Sequence, residues 1–236
     1  MSRRQAATWI TAQVSHAVIV ACDPLMCAAL QQHGFPAQDL EQITAESGDP
    51  LGSGVVAGTL AVRTQLGPRL AQVYAPTVIA SFGSGASLIE VRVTAVGGAT
   101  AYLAAERADL QARKVGGRAL TGNKAIHMPS AARAQLLAGQ VDGRLLITLS
   151  ALSHNYQVQI TGFSDSGPGA GSGGPLRMVT VTAPTAGYLR QLLAFLKAQR
   201  PPLLAGVSEH WHGSVTDVEI EFTAPSPPGL LAGNPS

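Results

Sequence analysis

Charge is what this 236-residue chain has least of: Asp, Glu, Lys and Arg together make up 13% of it, about half the usual share of a soluble domain. The net charge of +2 comes from scattered arginines. The absence of a basic run with interleaved aromatics argues against a nucleic-acid footprint. Lysine is scarce, three residues against thirteen arginines, and with the alanine excess this points to a GC-rich genome. No apolar stretch reaches the ~18 residues that span a bilayer. The N-terminus lacks the charged region, apolar core and cleavage site of a signal peptide. What is present is 46% apolar residues with 26 glycines and 15 prolines for loops, enough to bury one large core or two small ones. Two consecutive small domains are the preferred reading.

The two cysteines fall in the stretch Ser15 to Cys27, where an apolar strand runs into a helix start. Asp23 reads as the N-cap and Pro24 as the first helical residue. Cys22 and Cys27 then take the two positions flanking the cap, which in many helices meet as a hydrophobic staple. Side chains that touch across a cap can satisfy disulfide geometry. A Cys22–Cys27 disulfide implies an oxidising compartment, so the chain is expected outside the cytoplasm, with its export signal or membrane anchor outside this sequence. The alternative is a pair of reduced cytoplasmic thiols.

Around that turn the pattern is α/β. Ala6 to Gln13 reads as a short amphipathic helix, Ala17 to Ala21 as a strand, and Pro24 to His33 as a helix stopped by Gly34-Phe35-Pro36. Val55 to Gly58 reads as another strand, Thr59 starts a helical turn through Arg63, and Ala71 to Tyr74 belongs to a further short helix. Thr77 to Thr94 reads as a β-hairpin about Gly83-Ser84-Gly85, its second strand alternating Ile89, Val91 and Val93 with Glu90 and Arg92. The same glycines do not make a phosphate loop, because a strand and not a helix follows them.

Thr100 to Leu120 reads as a helix, and Gly122 to Met128 is the expected domain boundary. Beyond it Ser130 and Asp142 are expected to cap two helices. Strands are expected over 157–163 and 176–182, with a Gly/Ser/Pro loop over 164–175 between them. In the helix Tyr188 to Gln199, Leu189, Leu192, Leu193 and Leu196 form a core-facing stripe. Val215 to Phe222 reads as an edge or half-exposed antiparallel strand, and the Pro-rich tail 225–236 as a poorly ordered end. The fold class is thus α/β, with an α+β second half, each domain a mixed sheet packed with helices.

Chemistry is hard to find in these residues. Gly162-Phe-Ser-Asp-Ser166 departs from a nucleophile elbow at its fifth position, and no helix pattern follows it. His16, His33, His127 and His154 stand singly, with no acidic neighbour at helical spacing. Glu219 and Glu221, with Asp217, read as the solvated face of a strand, not as a glycosidase pair.

Two resemblances add to this. Trp9-Ile10, the Val-Ile-Val-Ala-Cys-Asp turn at 18–23, Val55-Val56, and above all Val78-Ile-Ala-Ser-Phe-Gly-Ser-Gly85 followed by Ile89-Glu-Val-Arg-Val93 resemble the extracytoplasmic C-terminal region of actinobacterial membrane glycosyltransferases of the dolichyl-phosphate-mannose type. The likeness covers residues 6–95. It implies an α/β domain outside the membrane and brings no catalytic residue, because that family's chemistry sits in its membrane portion. Gly139-Gln-Val-Asp-Gly-Arg-Leu-Leu146, the helix to His154, Val158-Gln-Ile-Thr-Gly162 and the glycine loop after it resemble the zinc D-alanyl-D-alanine carboxypeptidase fold and its inactive relatives. That family's loop and following strand carry a His and an Asp ligand; here no His occurs from 155 to 209, and the Asp expected near Val179 or Thr180 is missing. The partial echo is Glu209-His-Trp-His212. His210 and His212 alternate, so on a strand both can point to one face as nitrogen ligands with Glu209 as a base. Catalytic zinc needs three protein ligands, and no third is assignable.

The sequence is therefore expected to form a Rossmann-like α/β extracytoplasmic domain over 1–122 and an α+β degenerate carboxypeptidase-like domain over 129–224. Together they are expected to act as a non-catalytic part of an envelope or membrane-anchored protein, binding cell-envelope glycan or a membrane partner, with no cofactor. The alternatives are a divergent zinc-dependent peptidoglycan peptidase using Glu209, His210 and His212, and a purely structural assembly domain.

Overall fold

A computed structural model describes residues 1–14, 18–44, 52–165, 174–212, 215–222 and 231. The chain is α/β and divides into two compact units, Met1–Ala104 and Ala105–Ser236. Each is built on a five-stranded mixed sheet with its own helices. No described helix is long and apolar enough to cross a membrane.

In the first unit the chain runs α1 (Ser2–Gln13), β1 (Val20–Cys22), α2 (Pro24–Gln32), β2 (Leu40–Gln42), β3 (Val55–Gly58), α3 (Leu60–Leu66), α4 (Pro68–Val73), β4 (Ala80–Phe82) and β5 (Ile89–Val93). The sheet order is β2-β1-β3-β5-β4. The first three strands are parallel and β5 and β4 antiparallel. β1 and β3 are short runs of Val, Ala, Cys and Gly, buried throughout, as strands covered on both faces require; β2, at the edge, is Leu-Glu-Gln and partly exposed. Side chains alternate across a strand. Ala21 packs with Val56, Val62, Leu66 and Tyr74 beneath α3 and α4, so Cys22 points to the other face, where it is bonded to Cys27 of α2. On that side α1 lies against α2 and β4, with Trp9 and Phe82 ring centroids 6.1 Å apart.

The predicted hairpin is present, with Phe82 opposite Ile89 and a 3-10 turn over Gly85–Ser87 between its strands. The helices expected over Ala6 to Gln13 and Ala71 to Tyr74 begin earlier, at Ser2 and Pro68. Proline at the first helical position lacks the N–H that the helix start leaves unbonded. The strand read over 17–21 is β1, described from Val20 to Cys22; residues 15–17, His16 among them, lie outside the described residues.

The second unit carries most of α5 (Gly98–Gly122), then β6 (Ile126–His127), α6 (Ser130–Leu137), α7 (Gly143–Ser153), β7 (Val158–Ser164), β8 (Met178–Ala183), α8 (Ala186–Lys197), β9 (Gly206–His212) and β10 (Val215–Glu221). The expected boundary at 122–128 moves to the near end of α5. The reason is packing: Leu120 joins the second core, Arg113 donates to the Gly139 carbonyl at 2.5 Å, and Gly117 lies against the backbone of Leu136. The sheet order is β6-β7-β8-β10-β9, with one parallel pair, β6 and β7. One face of β7, β8 and β10 contributes Val158, Ile160, Phe163, Val179, Val181, Val218 and Ile220 to the core, where Leu189, Leu192 and Leu196 of α8 meet them. The other face carries half-buried Thr180, Thr182, Asp217 and Glu219.

Asp142 caps α7, accepting from the Arg144 N–H at 2.9 Å, and its carboxylate also takes the Arg144 guanidinium, which lies over the Phe222 ring. Ser130 is the first residue of α6 and not its cap, which is Pro129. Among the described residues Arg177 is the largest fully buried side chain, and it forms a forked ion pair with Asp165. Burial first, and then the neighbouring Tyr156, push the Tyr188 phenol above its ordinary value of 10.0; its hydroxyl donates to the Gln157 carbonyl at 2.8 Å.

Val215–Glu221 is the alternating, half-exposed antiparallel strand expected; of the two placements the sequence allows it is not the edge, being paired on one side with β8 and on the other with β9. β9 is an edge strand, with β6 at the opposite edge; all seven of its residues are exposed, and the hairpin with β10 makes it a strand. The Gly/Ser/Pro loop, over 166–173, and the Pro-rich tail, apart from Leu231, lie outside the described residues.

Candidate functional site

Two places were open to chemistry: the Glu209-His-Trp-His212 segment and the Cys22-Asp23-Pro24 turn. Their surroundings differ.

On β9, His210 and His212 do share a face, as their spacing predicts. His210 stands opposite Asp217 and hydrogen-bonds Glu219 at 3.0 Å, and His212 lies 3.8 Å from Asp217. Glu209 stands opposite Val218, a core residue, and therefore belongs to the other face. The expected trio of base and two ligands is split across the strand. Among the described residues, no group of three or more His, Cys, Asp or Glu is arranged to hold a metal ion. At the failed nucleophile elbow, Asp165 is engaged by Arg177 and Phe163 is buried.

The Cys22 turn is built as its sequence predicts. Asp23 caps α2, accepting from the Met26 N–H at 2.9 Å, with Pro24 at the first helical position. Cys22 and Cys27 form the disulfide, their Cα atoms 5.4 Å apart and both side chains buried. It closes a very short loop, so its contribution by chain entropy is modest, about 2 kcal/mol. Cys22→Ser with Cys27→Ser is expected to lower the melting temperature without abolishing folding; an unchanged melting temperature would count against a bridge that contributes to stability.

What the sequence does not suggest is the partner across the sheet. Thr59, the cap of α3, accepts from the Val62 N–H and donates its own hydroxyl proton to the second oxygen of Asp23. Both residues are 5% exposed. Two helix caps, 36 residues apart in sequence, are thus clasped by one hydrogen bond between neighbouring strands.

The position of this clasp follows from strand order. From β1 the chain passes through α2 to β2 on one side, and β3 lies on the other side of β1. At such a reversal the turns leaving the carboxyl ends of the two central strands diverge and leave a crevice, the usual ligand position in open α/β sheets. Here the crevice is a cavity of about 400 Å³, in the range of small-molecule sites. Asp23 and Thr59 line it, with Arg3 from the start of α1 and Ser87 from the turn before β5. Leu25 and Leu60, the residues next to the two caps, also line it and are 66% and 50% exposed. The site therefore offers the Arg3 guanidinium, the Ser87 hydroxyl and apolar side chains around the buried Thr59–Asp23 hydroxyl–carboxylate pair.

Of the sequence-stretch residues singled out earlier, Cys22, Cys27 and Asp23 are together here, whereas Glu209, His210 and His212 are in the other unit. Thr59, Arg3, Leu25, Leu60 and Ser87 were not foreseen as a group. The available signal was that a capping residue, Asp23 or Thr59, directly follows each of two apolar runs. The chain matches no family model, and no curated protein or solved structure is significantly similar to it.

Proposed function

We propose that this chain is a non-catalytic, extracytoplasmic binding module of a membrane-anchored envelope protein, and that the first unit holds a cell-envelope glycan in the crevice between β1 and β3. The observation that carries the reading is the cavity at the carboxyl ends of those strands, lined by Asp23 and Thr59 and by exposed Leu25 and Leu60. A sugar has the matching two-sided character: hydroxyls that hydrogen-bond a carboxylate with charge assistance, and a C–H face that packs on aliphatic side chains. The disulfide supports a location in an oxidising compartment.

The test is calorimetric titration with a soluble disaccharide muropeptide, beside an assay for its hydrolysis. Binding without turnover is expected. Asp23→Asn keeps an N-cap acceptor of nearly equal quality but removes the charge; it is expected to retain the fold and weaken binding at least tenfold. Enzyme-like turnover, or a wild-type protein that binds no muropeptide, would overturn the proposal.

A further inference from the structure

We infer that the turn Gly83–Leu88 is the selective wall of this crevice and that Arg63 is the residue that positions it; the inference rests on the glycan reading above. The turn supplies Ala86, Ser87 and Leu88 to the cavity lining, and all its side chains but Leu88 are small. It is closed on itself by Ser84 and Ser87: the Ser87 hydroxyl donates to the Ser84 carbonyl at 2.8 Å and accepts from the Ser84 N–H. Gly83 adopts φ 78°, a left-handed conformation that suits glycine. A Cβ there would lie 2.8 Å from the Ser87 carbonyl oxygen and 2.9 Å from the Ser2 Cβ, so the turn is seated closely against the start of α1.

The pairing of Gly58 with Glu90 holds β5 beside β3, but the turn runs beyond that ladder, and the contacts within it do not set its distance from the opposite wall, which Thr59 and Leu60 provide. Arg63 does that. One guanidinium nitrogen donates to the Gly58 carbonyl at 2.6 Å and to the Leu88 carbonyl at 2.8 Å. Gly58 immediately precedes Thr59, and Leu88 ends the turn, so this bridge ties one wall of the crevice to the other. A planar fork with fixed donor directions sets that separation more narrowly than a flexible ammonium would. Arg63 is a positioning residue and does not itself line the cavity.

The experiment has two readouts on the full chain: amide hydrogen exchange of residues 84–89 without ligand, and affinities for two probes, N,N′-diacetylchitobiose and the disaccharide muropeptide. Arg63→Met is expected to speed exchange in the turn at least tenfold and to change the ratio of the two affinities at least threefold. Arg63→Lys, which keeps a donor without the planar geometry, is expected to restore only part of both. Should Arg63→Met not fold, Arg63→Gln, too short to span both carbonyls and likewise outside the cavity lining, is read in the same way. Unchanged exchange would overturn the positioning role. Faster exchange with an unchanged affinity ratio would overturn the selective role, since a purely structural loss weakens both probes alike. If the wild type binds neither probe, the glycan reading falls and the selective role with it, while the exchange data still decide whether Arg63 seats the turn.

Discussion

Gly117→Ala is expected to destabilise the second unit by about 3 kcal/mol, at the upper end of the usual overpacking range. On a helix this substitution ordinarily gains up to about 1 kcal/mol, so the expected sign is reversed by packing alone. A Cβ at Gly117 would lie 2.7 Å from the Leu136 carbonyl carbon and closer still to its oxygen. Both are backbone atoms, and neither can rotate away. α5 and α6 meet at this point with main chain against main chain, and admitting a methyl group means separating them and loosening Leu120, Leu136 and Leu145 of the same core. Scanning calorimetry should show the change as a fall of about 10 °C in the transition of the second unit. Gly122→Ala is the control: nothing lies within 4 Å of its Cβ, and it should be neutral. If the two variants melt alike, the close approach of α5 and α6 is not as described.

The second large effect is expected at Asp165→Ala, about 3–5 kcal/mol. Arg177 is 2% exposed, and its guanidinium reaches Asp165 through Nε at 3.1 and 3.2 Å and Nη2 at 2.8 Å. Removing the carboxylate takes its countercharge from a cation that water does not reach. Removing both ends together is a different experiment, because two charges leave the interior at once. Asp165→Leu with Arg177→Met is accordingly expected to cost much less than Asp165→Ala alone. Denaturant midpoints of Asp165→Leu, Arg177→Met and the double variant decide it, and a double variant as unstable as the sum of these singles would mean that the pair does not act as a unit.

How far the sequence reached is best seen residue by residue. Asp23, Pro24 and the staple positions of Cys22 and Cys27 were legible because capping is local chemistry, settled within one helical turn. The hairpin about Gly83 to Gly85 and the leucine stripe of α8 were legible for the same reason. β9 was not, since Gly206 to His212 becomes a strand only by pairing with β10. Nor was the end of the first unit: α5 has a weak periodicity of its own, and its allegiance depends on where Leu120 and Gly117 find partners. The crevice was the least legible feature. The caps Asp23 and Thr59 are each visible in the sequence, but their clasp exists only because β3 lies beside β1, a fact of sheet order. Likewise, nothing local to Arg63 shows that its guanidinium spans Gly58 and Leu88.

The exposed strand β9 has a consequence for self-association. A sheet edge is a template for another chain, and the pairing that satisfies the most backbone groups is a full antiparallel overlap with an identical strand. For the seven residues Gly206–His212 that overlap is centred on Glu209, so the two-fold axis would set one Glu209 carboxylate directly against its copy, an arrangement that destabilises cross-strand pairs. The residue that resembled a catalytic base thus carries a charge that disfavours a continuous sheet formed by two molecules through this edge.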